Sequence, residues 1–223
     1  MSVRSESFSR GLHRASLGDW AYEVIRNRLI MLEIKPGEPL SDDALAQDLG
    51  TGRTPVREAL RQLESDRLVV THPHRGTFAT TVDITDLAFI SEIRTELEPL
   101  SAARAATTAT AVTRVRLAEL AKDVATLEAD VTDRRELIRR DVLVHREIYG
   151  ASGNPYLADI LVRLDNLATR IWCLFIDQLP DLPAHVGEHG QLLEAIAQGT
   201  ADKAAQLALE QVTNFDAAIR AIV

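Results

Sequence analysis

The chain has 223 residues and a formal net charge of −8 at pH 7, and 46% of its residues are hydrophobic whereas only 4% are aromatic. This length suits one large domain or two modest ones, and the abundance of Ala and Leu favours helices packed on helices. The first residues are charged without an apolar stretch, and no run of eighteen apolar residues occurs, so the sequence argues against secretion and membrane spanning and favours a cytoplasmic protein. The single cysteine, Cys173, cannot form an intrachain disulfide and is expected to be a buried thiol.

Charge is unevenly distributed along the chain. Residues 1–80 contain 11 Lys and Arg against 11 Asp and Glu, whereas residues 81–223 contain 14 against 22, so the whole excess of negative charge lies in the second part. An acidic total therefore does not exclude a nucleic-acid partner for the first part, provided that its basic residues are clustered.

The N-terminal elements are predicted from periodicity and boundary residues. The stretch "LGDWAYEVIRNRLIMLEI" (17–34) has apolar residues at helical spacing, and the prolines and glycine of "KPGEPL" end it. Ser41 is predicted to cap a second, short helix in "DDALAQDLG", which Gly50 ends. Thr54 and Pro55 open a third helix, "PVREALRQLESD".

Two short β-branched runs come next. "RLVVTHP" and "GTFATTV" are separated by the turn residues "HPHRG", which predicts a hairpin. Three helices and a hairpin indicate a winged helix-turn-helix domain over residues 18–80. We expect a disordered tail at residues 1–17 and a linker at residues 81–85.

After the linker, the sequence predicts only helices. Residues 86–223 are expected to form an all-α bundle of about six helices, so the fold class is mainly α, with a winged helix-turn-helix followed by a helical ligand-binding domain. The predicted helices are Asp86–Ala106, Thr113–Val131, Asp133–Gly150, Pro155–Gln178, Leu182–Gln198 and Ala201–Val223.

A basic edge runs along the predicted third helix. Arg53, Arg57 and Arg61 recur every four residues, on the side opposite its apolar residues. Like charges at this spacing destabilise a helix unless a polyanion relieves them, and the major groove of DNA admits such a helix. Arginine can grip a phosphate or a guanine edge with two hydrogen bonds. The pattern therefore favours DNA binding over the alternative, an ordinary solvated helix face.

The stretch "LSDDALAQDLGTGRTPVREALRQLESDRLVVTHPHRGTFAT" resembles the winged helix-turn-helix of the GntR superfamily of bacterial transcription regulators. In that family "LGVSRTPVREALRxLExxGLVxxxPxRGxxV" is typical. Thr51 and Gly52 stand where Val and Ser are usual, so Thr54 is expected to replace the missing serine as a helix cap. The resemblance implies that Arg53, Thr54 and Arg57 enter the major groove beside Arg61, and that the wing residues His74, Arg75 and Gly76 approach the minor groove.

The second part resembles the FCD ligand-binding domain of the FadR subfamily, in its shorter VanR-like branch. The resemblance lies in "IRTELEPLSAARAA", "RRDVLVHREIYGASGNPYL" and "EHGQLLEAIAQGTADKAAQLALEQV". Such proteins hold a small organic acid in the bundle, often through a divalent metal, and pair two subunits. The resemblance implies a homodimeric regulator that binds an inverted-repeat DNA operator and responds to a small carboxylate effector, and we expect it to be a repressor.

Asp141 and His145 are four residues apart on one predicted helix and share a face, and His189 begins a later helix. By itself such a pair is more often a surface hydrogen bond than a metal site. In the resemblance the three residues match metal ligands, and a fourth histidine is expected where this chain has Gln211. A neutral amide is a poorer ligand, so we expect weaker binding or a preference for a harder ion among Zn, Ni and Mn.

Arg94 lies one turn before Glu98, where the resemblance places an arginine that grips the effector carboxylate. The alternative is an Arg94–Glu98 ion pair on the helix surface. Asn166, Gln211 and Asn214 are polar residues in otherwise apolar helices and are further candidates for effector binding, although surface positions are as plausible for the two asparagines.

One alternative function comes from a different class. "HVGEH" matches the H-x-x-E-H pattern of inverted zinc proteases, with His185 and His189 as zinc ligands and Glu188 as the general base. Gly187 within the motif, Pro183 just before it and the short chain argue against it. The sequence predicts that the protein is not an enzyme.

Overall fold

The computed structural model describes residues 16–126, 133–179 and 182–222. They divide into two compact units, one formed by residues 16–28 and 37–80 and the other by residues 29–36 and 81–222. Most of the tail predicted at residues 1–17 lies outside the described residues. Leu17 already belongs to the first helix.

The first unit contains three helices and a small sheet. α1 ends at Ile30, four residues earlier than the apolar pattern predicted, and Leu32 beyond it has a left-handed φ of 53°. The other predicted helices and the hairpin are confirmed, and β1 was not predicted. The elements are α1 (Leu17–Ile30), β1 (Pro39–Leu40), α2 (Asp42–Asp48), α3 (Arg53–Ser65), β2 (Val69–His72) and β3 (Gly76–Ala79).

Local chemistry fixes the ends of α2. The Ser41 hydroxyl accepts a hydrogen bond from the backbone N–H of Ala44, at 3.3 Å, which confirms the predicted N-cap. Beyond the last turn, Gly50 has a φ of 62°, a left-handed conformation that favours glycine and ends the helix.

The sheet has the strand order β1-β3-β2, and both pairings are antiparallel. β2 and β3 form the predicted hairpin, with Val69 opposite Ala79 and His72 opposite Gly76. β1 was missed because it has only two residues, lies among turn-forming residues and acquires its strand conformation by pairing with β3.

Six helices form the second unit, as predicted, although several end earlier than expected. α7 stops at Leu174 rather than Gln178, and α5 stops at Ala125, while Leu127–Val131 of its predicted span lie outside the described residues. The helices are α4 (Asp86–Thr108), α5 (Ala111–Ala125), α6 (Arg134–Ala151), α7 (Pro155–Leu174), α8 (Leu182–Gln198) and α9 (Ala201–Arg220).

Short polar side chains cap several of these helices. Thr110, Asp133 and Asn154 accept hydrogen bonds from backbone N–H groups in the first turns of α5, α6 and α7. Pro155 occupies the first position of α7, where its missing N–H costs nothing and its fixed φ suits a helix.

α5 and α8 pack closely at Gly190. A Cβ added to Gly190 would meet the carbonyl oxygen of Ala121 at 3.3 Å, so the glycine allows the two backbones to approach. The bundle's core consists of buried Ala, Leu, Val and Ile side chains from α4 to α9. Cys173, predicted to be buried, is only partly buried, and burial nevertheless raises the pKa of its thiol to about 12.

None of the helices in the described ranges combines the length and the apolar character needed to cross a bilayer.

Candidate functional site

The basic edge of α3 has the predicted exposure. Arg53, Arg57 and Arg61 are exposed, whereas Val56 and Leu63 on the opposite side are fully buried. α3 begins at Arg53 with Gly52 in extended conformation at its N-cap, and no side chain caps it. The prediction that Thr54 caps the helix is therefore wrong. Because Thr54 lies inside the first turn and is exposed, its hydroxyl is accessible to an external acceptor such as a phosphate.

Two carboxylates of α2 contact this basic edge. Arg53 Nε lies 2.5 Å from Asp43 Oδ1, and Arg57 Nε lies 2.6 Å from Asp42 Oδ2. The hydrogen bond to Asp42 raises the pKa of Arg57 above its ordinary value. The repulsion between successive arginines is thus relieved within the unit, and the sequence argument that a polyanion must relieve it was wrong on this point. A phosphate that binds these arginines competes with Asp42 and Asp43.

The hairpin forms an exposed wing. His74 has a left-handed φ of 62° and Gly76 a φ of 95°, and the backbone N–H of Arg75 donates to the carbonyl of His72, at 3.1 Å. His74, Arg75 and Gly76 are exposed at the tip. They present a guanidinium and an imidazole to solvent, which suits contact with a phosphate backbone.

The second unit brings together three residues predicted as metal ligands. Asp141 and His145 lie one turn apart on α6, and His189 comes from α8. His189 Nε2 is 3.3 Å from His145 Nε2 and 3.4 Å from Asp141 Oδ1, and His145 Nε2 is 3.9 Å from Asp141 Oδ2. One ligand atom from each residue lies within 4.8 Å of the others, a separation that one ion can span.

A buried carboxylate orients His145. Glu98 Oε2 lies 3.5 Å from His145 Nδ1, and the Tyr149 hydroxyl lies 3.2 Å from the same nitrogen while donating to Glu98 Oε1 at 3.0 Å. Glu98 beside Nδ1 favours a proton on that nitrogen and leaves the Nε2 lone pair facing the cluster. Sequence reasoning missed Tyr149 and assigned Glu98 only a surface ion pair. The spacing of His145 and Tyr149, one helical turn, was the available signal.

Burial shifts the protonation of the cluster. It raises the pKa of Asp141 to about 6, against the opposing effect of His145, and it lowers the pKa of His189 to about 4. His189 is fully buried and Asp141 is 9% exposed. The histidine is therefore uncharged at neutral pH, the form in which imidazole binds a metal.

Arg94 is buried rather than on the surface. Its Nε donates to Glu98 Oε1 at 2.6 Å, and its Nη2 lies 3.8 Å from Asp165 Oδ1. Burial by itself lowers the pKa of Arg94, but Glu98, Tyr149 and Asp165 outweigh this effect. The pKa therefore lies above its ordinary value, and the side chain stays charged. The alternative of a surface Arg94–Glu98 pair is wrong. A guanidinium has five N–H donors, and the hydrogen bond to Glu98 uses only the one on Nε.

A small cavity of about 20 Å³ borders these groups. Gln211, 5% exposed, lines it, and neither polar atom of its side-chain amide has a hydrogen-bond partner within the described residues. An amide buried without partners is costly unless a ligand or water satisfies it. Besides Gln211, the lining includes Arg94, Asp141, His145, Asp165, Thr169, Trp172, His185 and Phe215.

The two predicted asparagines do not join this cavity. Asn166 is fully buried, but its Oδ1 accepts a hydrogen bond from Arg146 at 2.5 Å, and it does not line the cavity. Asn214 is exposed and lines a second cavity, of about 220 Å³. Asn166 turns toward α6, and Asn214 lies at the α9 surface, the alternative that the sequence left equally open for it, so a role of either residue in effector binding stays a prediction.

The geometry does not assemble the protease motif. Glu188 is exposed, whereas His189 is buried against Asp141 and His145. A general base must reach the metal-bound reactant, and Glu188 instead borders the second cavity.

Comparisons with known proteins agree with this division of the chain. Residues 17–79 match the bacterial regulatory proteins of the gntR family, and residues 90–214 match the FCD domain. The galactonate operon transcriptional repressor of Escherichia coli is 25% identical, over 80% of this chain and 86% of its own. The uncharacterized HTH-type transcriptional regulator YdhC of Bacillus subtilis is also 25% identical, over 83% of each chain.

Solved structures show the same fold. E. coli McbR/YncC superposes with a TM-score of 0.80 at 24% identity, covering 93% of this chain and 98% of its own. A GntR regulator from Rhodococcus sp. RHA1 superposes with a TM-score of 0.69 at 20% identity, over 92% and 98% of the two chains. The fold of these two solved chains is thus shared by this chain along nearly its whole length.

Proposed function

Because the chain belongs to the GntR family of bacterial transcription regulators and carries an FCD domain, we propose that a small carboxylate bound in its second unit controls how tightly its first unit binds an operator. The observation that carries the proposal is the buried Asp141, His145 and His189 cluster, which shares one cavity with Arg94 and Gln211. A charged guanidinium and an unpartnered amide inside a helical core support the proposal, because a polar ligand would satisfy them.

The residues present fit a divalent metal. The Nε2 atoms of His145 and His189 approach to 3.3 Å, and Glu98 beside Nδ1 of His145 turns a lone pair toward the other imidazole. If His189 also carries its proton on Nδ1, two lone pairs face each other, and a cation between them would accept both. Asp141 adds an oxygen that forms no hydrogen bond within the described residues. Zn, Ni or Mn held by these three residues would supply a positive charge that attracts the effector carboxylate.

The remaining residues position the effector. Arg94 offers its Nη donors to the carboxylate and is held in place by Glu98. Gln211 supplies one amide donor and one acceptor to a neighbouring polar group or to a water on the metal. With a neutral amide at this position, we expect weaker metal binding than a fourth histidine would give, or a preference for the harder ion.

On the DNA side, Arg53, Thr54 and Arg57 enter the major groove with Arg61 beside them. The wing residues His74, Arg75 and Gly76 contact the minor groove and its phosphates. Two chains of a homodimer bind the half-sites of an inverted repeat, and effector binding releases the operator, so the protein acts as a repressor. A differential affinity of about 3 kcal/mol between operator-bound and free states shifts operator affinity roughly 150-fold.

Metal content is the decisive measurement. Elemental analysis of the dialysed protein is expected to find one Zn, Ni or Mn per chain, lost in His145→Ala and in His189→Ala. Glu188→Gln is the matched control, because Glu188 lies next to His189 but is exposed, and it is expected to retain the metal. Wild-type protein without metal after loading with each ion, or equal loss in the control, would contradict the metal assignment.

A second experiment tests the DNA assignment. Operator sequences are selected from a random duplex library with the full-length protein and then measured by gel shift. Arg57→Ala is expected to weaken the specific complex about tenfold or more. Arg163→Ala, an exchange of the same kind on α7, is the control and is expected to leave the complex unchanged. Equal affinity of wild type and Arg57→Ala would refute the role of α3.

A further inference from the structure

Two cavities in the second unit meet at one wall. The first, of about 20 Å³, contains Arg94, Asp141 and Gln211. The second, of about 220 Å³, is lined in part by Leu179, Leu182, Ala184, Glu188, Asn214 and Ala218. Trp172 and His185 line both cavities, so these two side chains separate them.

The wall consists of rings from three helices. The Trp172 indole of α7 stacks on Phe215 of α9 with a centroid distance of 4.9 Å and an interplanar angle of 10°, and it contacts His185 of α8 at 4.5 Å. Trp172 and Phe215 are 4% and 6% exposed, whereas His185 is only partly buried. His185 is therefore the ring with most freedom to move and join the two spaces.

The cavities differ in chemistry. Charged and amide groups line the first, whereas Leu179, Leu182, Ala184 and Ala218 give the second a mainly apolar surface. Glu188 at the second cavity would repel another carboxylate there. The second cavity thus suits an uncharged, apolar group.

The small first cavity limits what it can hold. About 20 Å³ is little more than the volume that admits one water, which requires about 10–15 Å³. A carboxylate group can replace that water, but the rest of a metabolite needs another space. The second cavity, on the far side of Trp172 and His185, is the adjacent space.

We propose that the second cavity is a binding site for the apolar tail of the effector, which is therefore a monocarboxylic acid with an aliphatic or aromatic tail. This inference rests on the proposed function, which places the carboxylate beside Arg94. The tail passes the Trp172–His185 wall and packs against Leu182 and Ala218.

The test compares acetate with hexanoate, by isothermal titration calorimetry of the full-length, metal-loaded protein. Each buried methylene is expected to tighten binding about fourfold, so hexanoate should bind at least about tenfold more tightly than acetate. Ala218→Leu fills the second cavity and is expected to remove this difference while leaving acetate binding unchanged. Ala217→Leu is the matched control, because Ala217 is exposed and does not line the cavity.

The outcomes separate the two proposals. Hexanoate that binds no tighter than acetate, or a difference that persists in Ala218→Leu, would overturn the tail site while acetate binding still supports the proposed function. If neither acid binds to the wild-type protein, the proposed function fails, and the tail site fails with it. Retained acetate binding in Ala218→Leu shows that this variant is folded.

Discussion

Neutralising the two carboxylates of α2 that contact α3 is expected to tighten DNA binding. In the double variant Asp42→Asn/Asp43→Asn, Arg57 and Arg53 lose ion pairs of 2.6 Å and 2.5 Å and become free to bind phosphates. In the proposed complex each wild-type arginine must leave its carboxylate before it contacts DNA. The variant no longer has this competition, and the two carboxylate charges that repel phosphates are gone.

The expected size of the change in Kd follows from the exposure of the two arginines. The side chains of Arg57 and Arg53 are 58% and 65% exposed, and ion pairs between exposed groups are weak because water screens them. Together the two pairs are expected to change the Kd by between about twofold and 25-fold. Fluorescence anisotropy on a labelled operator duplex at fixed salt measures this change.

Asp48→Asn is the matched control, because Asp48 lies on the same helix but pairs with Arg28 instead of with α3. Its effect on the Kd is expected to be smaller than that of the double variant. Unchanged or weaker operator binding by the double variant would refute the competition. Weaker binding would show that Asp42 and Asp43 hold the arginines in the orientation that DNA requires.

Three further variants test packing, one in the first unit and two in the second. Burial, helped by a hydrogen bond of 2.7 Å to Asp66, raises the pKa of Tyr22 to about 12 from its ordinary value of 10. The contribution of the protonated Tyr22 to the free energy of unfolding is therefore complete below pH 10 and is lost as the pH rises from 10 to 12. Tyr22→Phe is expected to lower the free energy of unfolding by about 1 kcal/mol at pH 8 and to lack this alkaline loss. Urea unfolding of the wild type and the variant from pH 8 to 11 measures both effects. Parallel pH profiles of the two proteins would contradict the role of the Tyr22 hydroxyl. Gly190→Val is expected to cost about 1–3 kcal/mol because a Cβ there meets the Ala121 carbonyl at 3.3 Å. Gly187→Ala, with 3.9 Å to its nearest such neighbour, is expected to stabilise α8 by up to about 1 kcal/mol, and equal denaturation midpoints for these two variants would refute the packing argument.

The sequence predicted the helices well because their signals are local. Ser41 caps α2 and Pro155 starts α7, and both residues act through their own backbone geometry and the next turn. Some helix ends without such residues were predicted too far along the chain, as in α1 and α7, whereas α4 ends at Thr108, later than the predicted Ala106. The two-residue strand β1 depends on pairing with β3, a contact between distant parts of the sequence that no local pattern contains.

The part of the candidate site that depends on local spacing could also be predicted from the sequence. Asp141 and His145 share a helical face, which spacing alone shows, whereas the approach of His189 required the resemblance. The roles of Glu98 and Tyr149 depend on which faces of α4 and α6 meet, and the sequence does not fix that pairing. The ion pairs of α2 with α3 were missed because the arginines were considered only along their own helix.

The charges of the ion-paired network in the bundle favour an effector with one carboxylate when the proposed metal is bound. The buried network contains Arg94 and Arg146 against Glu98, Asp141 and Asp165, so two positive and three negative charges leave −1 when all five are ionised and the histidines are neutral. Apolar side chains would stabilise a helical core at lower cost than such a network, which indicates that it serves a function. A divalent ion changes the sum to +1, and one carboxylate returns it to zero. Within this ion-paired network a second carboxylate would leave a negative charge without a counter-charge, so the network, counted without the buried Arg170 elsewhere on α7, favours a monocarboxylate on electrostatic grounds.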